Sequence, residues 1–290
     1  MDEGDRGVTW QDEVRAVAAA AAAADGIAAS DDLLRALGGP DGHILRWIAG
    51  ALGGYAHVAP AHGEHPAVAE VVVAPGFRGR GLGTDLVAAA LDQGGDGARV
   101  WAHGDLPAAR AVAARLGLHS ARDLLQLRRS LTDPALPSLH VPDGVVLRTY
   151  AGPQDDAELL RVNNAAFSWH PEQGGWTAAD IEARRQEPWF DPDGLFLAAA
   201  PDGRLLGFHW TKVHYDEATP VGEVYVVAVD PVAHGRGLGA FLTLAGLHHL
   251  HARGLPEVLL YVEGDNTRAL RTYDRLAFTR YRTDRAYARN

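Results

Sequence analysis

Apolar and polar positions divide the 290-residue chain into two similar successions of strand, turn and helix. In the first, Val14 to Ala24 is nearly all alanine, the best helix former, and predicts a helix. Ile44 to Ala49 reads as a strand, and so does Ala69-Glu-Val-Val-Val-Ala74, which Pro75 ends. A glycine-rich turn and an apolar helical pattern follow. Then come a short strand at Val100, a polar turn, a helix from Ala108 to Leu116 and a strand-like run from Leu124 to Leu131. Residues 132–144 hold three prolines and no apolar period, which predicts a connector. The second succession has a strand from Val145 to Tyr150 and a helix from Asp155 to Phe167. A hairpin of Leu195–Ala200 and Arg204–Val213 turns about Pro201-Asp202-Gly203. The apolar, β-branched run Val224 to Val229 predicts a buried strand, stopped by Asp230-Pro231. A second glycine turn and helix follow, then a strand at Leu260 and a helix from Arg268 to Leu276. The expected architecture is two tandem α/β domains with mixed α+β sheets, residues 1–131 and 145–290, joined by 132–144.

The two glycine turns are the strongest local signal. His234-Gly235-Arg236-Gly237-Leu238-Gly239 stands between a strand and a helix, where backbone N–H groups converge and the helix dipole favours an anion. The spacing is neither G-x-G-x-x-G nor G-x-x-x-x-G-K-[ST]. Its counterpart is Arg78-Gly79-Arg80-Gly81-Leu82-Gly83, and Gly83 and Gly239 are 156 positions apart. Asp105 and Asp265, in the later polar turns, are 160 apart, so the order is kept and the first copy is about one helical turn shorter.

These turns resemble motif A of the Gcn5-related acetyltransferases, Q/R-x-x-G-x-G/A, with His234 departing from the usual Gln or Arg. The resemblance implies two GNAT-like domains and acetyl-CoA as cosubstrate. Backbone amides of Val227, Ala228 and Val229 are then expected at the thioester. Those of His234, Gly235, Arg236, Gly237, Leu238, Gly239 and Ala240 are expected at the pyrophosphate. The helix start Asn266, Thr267, Arg268, Ala269, Leu270 and Arg271 is expected along the cofactor arm. The first copy offers Val71, Val72 and Val73 with Gly79, Arg80, Gly81, Leu82, Gly83 and Thr84.

Composition narrows the field. A net charge of −10 argues against a general nucleic-acid binder. There are no cysteines, hence no disulfide framework, thiolate metal site or cysteine nucleophile. The alanine run is too short to span a membrane, and the acidic start does not suit a signal peptide, so a cytoplasmic protein is expected. A monomer is expected separately, with no sequence feature behind it. His248, His249 and His251 share a helix, but no third ligand stands out and no metal is expected. Lys212 is the only lysine among many arginines, a bias expected of a GC-rich genome.

Acyl transfer to an amine needs a base, oxyanion donors and an acid for the leaving thiolate. Glu223 begins the strand that leads to the cradle, and alternation predicts Glu223, Tyr225 and Val227 on one face, with Glu223 as base. Tyr273 lies two helical turns beyond Asn266, which suits an acid facing the same groove. The first copy has Ala67, Leu106 and Ala113 at the positions of Glu223, Asn266 and Tyr273. It is therefore expected to keep a cradle, with or without acetyl-CoA, but no base and no acid. The stretches Arg161-Val-Asn-Asn-Ala-Ala-Phe167, His170-Pro-Glu-Gln-Gly-Gly-Trp176, Glu187-Pro-Trp-Phe-Asp-Pro192, Gly207-Phe-His-Trp-Thr-Lys-Val-His214, Gly222 to Asp230 and Leu259 to Glu263 resemble the mycothiol synthase family. That family acetylates the cysteinyl amine of a cysteinyl-glucosamine-inositol thiol. The resemblance implies substrate contacts at Asp32, Glu172, Lys212, Glu223 and Tyr261. Another small amine or protein N-terminus as acceptor, or an acyl-CoA-sensing module without turnover, are the alternatives.

Overall fold

Each helix and strand has a local cause, and the first unit of the chain shows most of them. The computed structural model describes residues 8–63, 65–168, 173–215 and 219–290. Helix α1 (Trp10–Asp25) starts in a capping box between Thr9 and Asp12 and stops at Gly26 with φ +68°. Val14, Val17, Ala18 and Ala21 form its buried stripe. Ser30 caps the short α2 (Asp31–Ala36). Strands β1 (His43–Ile48), β2 (Ala51–Ala59) and β3 (Val68–Val73) pair antiparallel. Helix α3 (Leu82–Gly94) packs on them so closely that a Cβ on Gly54 of β2 would lie 2.7 Å from Leu86. Strand β4 (Arg99–Ala102) pairs parallel with β3, and α4 (Pro107–Arg115) leads into β5 (His119–Ser130).

The second unit adds β6 (Val146–Thr149), α5 (Asp156–Ala166), α6 (Ala178–Arg185), β7 (Leu195–Ala199), β8 (Leu205–His214), β9 (Val221–Val229), α7 (Leu238–Ala252), β10 (Glu257–Glu263) and α8 (Thr267–Arg275). The last strand is β11 (Thr279–Ala288). Helix α7 is apolar nearly all round and buries Phe241, Leu242, Leu247 and Leu250 among others.

The compact units do not follow the two sequence repeats. One comprises Met1–Leu124 and Arg282–Asn290; the other is Leu125–Tyr281. Within the first the strand order is β1-β2-β3-β4-β11, and within the second β5-β10-β9-β8-β7-β6. Each repeat thus lends its final strand to the other unit. This differs from the expected division at 131 and 145, and the reason is in the contacts. Ala286 is fully buried, Tyr287 donates to Asp105 at 2.7 Å, and Arg285 bonds Asp105 at 3.1 Å and both oxygens of Asp123 at 2.7 and 2.9 Å. Residues 132–144 are irregular, as expected, but not a free tether. Leu136 and Leu139 pack on the second unit's core, and His248 bonds the Pro137 carbonyl at 2.8 Å.

The second unit's sheet is irregular beside its cradle. The β8–β9 ladder runs Trp210↔Val226, then Thr211↔Val224, so Tyr225 is the extra residue of a β-bulge. Tyr225, Val226 and Ala228 pack with α5 and α6 on one face of the sheet, while Val224, Val227 and Val229 pack towards α7 on the other. The expected alternation therefore fails at Val227, which faces away from Glu223 and Tyr225.

Candidate active site

Both glycine turns form between a strand and a helix, as their spacing predicts. Gly235 and Gly237 have φ +82° and +75°, Gly79 and Gly81 +74° and +85°, values that favour glycine. A Cβ added at any of the four would meet no atom within 4 Å, so the space in front of each turn is open. Helices α3 and α7 begin here with no side-chain cap, whereas Thr9, Ser30, Thr177 and Asn266 cap α1, α2, α6 and α8. Two long helices that begin without a side-chain cap, with open space ahead, fit a pyrophosphate. Leu238 is buried in the core and offers the cradle only its amide.

The first side chain of each cradle ties the turn back to its strand. Arg78 donates to the Val73 carbonyl at 3.1 Å and forks onto Asp25 at 2.7 and 2.8 Å. His234 takes the same place against the Val229 carbonyl at 3.1 Å, and Arg268 donates to its other ring nitrogen at 2.9 Å. A guanidinium can only donate, so His234 Nδ1 accepts and Nε2 carries the proton. Arg161 fixes the strand end by bonding buried Asp230 at 2.6 Å. Burial alone would raise that carboxyl, but Arg161 and the Val232 amide hold it below the usual range.

A gap opens between the parallel strands just before the cradle. In the second unit β9 and β10 are in register only at Gly222↔Val258 and Glu223↔Leu259. From Val224 onward β9 keeps its partner β8 on one edge and, among the described residues, none on the other. Val227, Ala228 and Val229 lie in this stretch, where amides directed away from β8 are free to meet an oxyanion. In the first unit β3 and β4 stay in register through Glu70↔Trp101, leaving Val71, Val72 and Val73 on the free edge. There a cavity of about 540 Å³ is lined by these valines and by Gly79, Gly81, Gly83 and Thr84. Arg80 lies instead over the Phe77 ring, and Leu82 packs on the core.

Around the second gap the expected groups divide between the two faces of the sheet. Glu223 is buried and accepts from His214 Nε2 at 2.7 Å. Lys212 stands directly across the ladder from Glu223, with its ammonium 5.1 Å from the Trp189 ring centre. On the α7 side, Tyr273 packs beside Val227, Ala269 and Leu270 and meets Phe278 edge-on at 5.6 Å. Burial pushes its hydroxyl pKa up to about 12, and the hydroxyl has no hydrogen-bond partner among the described residues. A phenol so placed stays protonated at neutral pH and has a proton to donate. Asn266 uses its side-chain oxygen to cap α8 at Ala269 N, 3.1 Å away, which leaves its amide nitrogen for a ligand.

A model of the acetyltransferase (GNAT) family matches residues 12–118 and 161–278. A mycothiol acetyltransferase of Nocardia farcinica is 66% identical, over 96% of this chain and 94% of its own length. Another, of Rhodococcus jostii, is 58% identical over 96% and 94%. The chain belongs to the acetyltransferase (GNAT) family, among the mycothiol acetyltransferases. A tandem GNAT protein from the clavulanic acid biosynthesis pathway superposes with TM-score 0.65 at 20% identity, covering 96% of this chain and 92% of that one, which shows the shared fold. As a member the chain is an acetyl-CoA-dependent acetyltransferase.

The remaining expected residues are scattered. Tyr261 is exposed on β10 and receives a bond from Gln126 at 2.8 Å. Asp32 is on α2 of the first unit, exposed and paired with Arg35 at 2.6 Å. Glu172 lies outside the described residues. Thr267 opens α8, Arg271 is exposed on it, and Gly239 and Ala240 form the first turn of α7. Two groups escaped sequence reasoning. His214, two residues beyond Lys212, is the partner of Glu223. In the first unit, Glu70 accepts from Ser30 at 2.5 Å and from His103 at 3.0 Å, and His103 also reaches Asp284 at 3.4 Å. The first copy, expected to have no base, nonetheless places a carboxylate and an imidazole, Glu70 and His103, in the lining of its cavity. No group of three metal-ligating side chains occurs among the described residues, and no helix there is long and apolar enough to cross a membrane.

Proposed function

We propose that the second unit acetylates the cysteinyl amine of a cysteinyl-glucosamine-inositol thiol, giving mycothiol. The observation that supports this best is the gap between β9 and β10, with a carboxylate on one face and a protonated phenol on the other. The acetyl thioester enters from the α7 side, its pyrophosphate held by the amides of Gly235 to Ala240 and its arm by the Asn266 to Arg271 helix start. The acceptor approaches from the α5 and α6 side, against Glu223, Lys212 and Tyr261. Glu223 takes the ammonium proton, directly or through water, and His214 keeps its carboxylate oriented. An α-amino group has a pKa near 8, so the base need do little at neutral pH. Amides of the bulged stretch receive the developing oxyanion, and Tyr273 returns a proton to the departing thiolate. Transfer is direct, in keeping with the absence of cysteine.

The first unit, in this proposal, holds acetyl-CoA through Val71 to Val73 and Gly79 to Thr84 without turning it over. The decisive experiment offers acetyl-CoA and a panel of amines, and follows CoA and N-acetyl product by chromatography and mass spectrometry. Selective acetylation of the cysteinyl pseudodisaccharide is expected. Indifference to it, with turnover of another amine, removes this acceptor; binding of acetyl-CoA with no turnover of any amine leaves only a sensing module.

A further inference from the structure

The proposed chemistry uses Lys212 as a donor but does not explain its surroundings. Its ammonium lies 5.1 Å from the ring centre of Trp189 and 5.7 Å from that of Tyr225. Those rings meet edge-to-face, 4.9 Å apart at 64°, so the cation sits in the corner between them. Each ring is itself backed. Both lean on Trp210, a fully enclosed residue, at 5.9 and 6.1 Å. The Tyr225 hydroxyl accepts from Arg184 at 3.1 Å, and the Arg184 guanidinium covers Trp176 at 4.0 Å. Asn164 grips the Trp176 backbone through two bonds of 2.8 and 2.9 Å. Counted back from the cradle, Tyr225 would fall with Val227 and Val229 on the α7 face; the bulge turns it towards Lys212 instead.

Glu223, the carboxylate opposite Lys212, is engaged by His214. A carboxylate partner would take the lysine's N–H donors and cancel its charge. Aromatic faces hold the charge through their quadrupoles and supply no lone pair. The result is a lysine fixed in place with no hydrogen-bond acceptor among the described residues, on the same face as the base. We propose that Trp189 and Tyr225 form a clamp that presents the Lys212 ammonium to hydroxyl oxygens of a polyol acceptor, making Trp189 a positioning residue for acceptor recognition. This rests on the acceptor face of the proposed function.

The test compares steady-state kinetics of the full chain and its Trp189→Leu, Trp189→Phe, Lys212→Met and Lys212→Met/Trp189→Leu variants. Acetyl-CoA and the cysteinyl pseudodisaccharide are varied separately, and the Tm of each variant is recorded. Trp189→Leu is expected to raise the acceptor KM about tenfold while kcat and the acetyl-CoA KM stay within about twofold. Trp189→Phe, which keeps a ring, should recover most of the loss. The double variant should be no worse than Lys212→Met alone, because the tryptophan acts through the lysine. An unchanged acceptor KM in a folded Trp189→Leu overturns the clamp, and so do losses that multiply in the double variant. Should Trp189→Leu not fold, the same cycle with Trp189→Phe decides, with about a threefold rise expected. A wild type that ignores this acceptor but acetylates another amine removes the acceptor assignment alone, and the cycle is then run on that amine.

Discussion

The two units carry nearly the same cradle and differ in what surrounds it. Both have left-handed glycines, an uncapped helix and a side chain tied to the carbonyl five residues back. The parallel strands part after two pairs in the second unit and after three in the first. The β2–β3 ladder runs without a register shift, whereas β8–β9 carries the bulge at Tyr225. Where, among the described residues, Glu223 of the second unit meets one histidine, the first has Glu70 occupied by both Ser30 and His103, and His103 occupied by both Glu70 and Asp284. Ionisable groups therefore occur beside both glycine turns, and what differs is how far each is engaged by its neighbours. The first unit's acidic and basic groups neutralise one another, and Ala113 stands where an acid would be needed.

The largest expected effect separates the copies by chemistry. Glu223→Gln and Tyr273→Phe should each lower kcat by roughly 10²–10⁴-fold, with acetyl-CoA affinity nearly unchanged by calorimetry. An unaltered rate in both would return the two units to equal standing. Next come the cradles. Valine at Gly237, where φ is +75°, should raise the acetyl-CoA KM by about 100-fold, since a β-branched residue is strained there and blocks the anion. The same change at Gly81 should instead reduce calorimetric stoichiometry from two ligands to one. A wild-type stoichiometry of one would end the idea of a loaded first cradle.

A third comparison uses pH. Burial disfavours charge on His103, but bonds with Asp284 and Glu70 outweigh it and push its pKa up to about 9. A raised folded-state value means that the stabilisation is fully present below the unfolded value of about 6.5 and disappears as pH rises through about 9. The wild type should lose about 1–3 kcal/mol across that window, and His103→Gln should flatten the dependence of Tm on pH. An unflattened profile would mean that the cluster does not hold the charge assigned to it. The smallest effect concerns helix starts. Asn266→Ala should cost about 1 kcal/mol by removing the α8 cap, measured by denaturant unfolding. Introducing asparagine at Leu106, the uncapped counterpart before α4, should return a fraction of that.

Local signals in the sequence located both cradles, the β7–β8 hairpin and the helices of strong period, because glycine spacing and apolar periodicity are local properties. Strand β2 was hidden by Gly53 and Gly54, whose value lies in letting α3 approach. The bulge was invisible for a different reason. One additional residue in β9 is defined only by its register against β8, and counting along the strand alone placed Val227 with Glu223. The cluster of Ser30, Glu70, His103 and Asp284 joins four distant segments, so nothing in any one of them announces it. Tyr273 stood out by its spacing from Asn266; Trp189 and His214 lay within stretches that carry the family resemblance, but no local pattern gave either a partner.

The exchanged strands also bear on how the chain is made. The first unit needs Arg282–Asn290, which follow the whole of the second. A ribosome adding roughly 5–20 residues per second takes about ten to thirty seconds to traverse the intervening 160 or so residues. Throughout that interval β4 has an open edge and Asp105 lacks its partners Arg285 and Tyr287. The N-terminal unit is thus completed only after the whole of the second has been made.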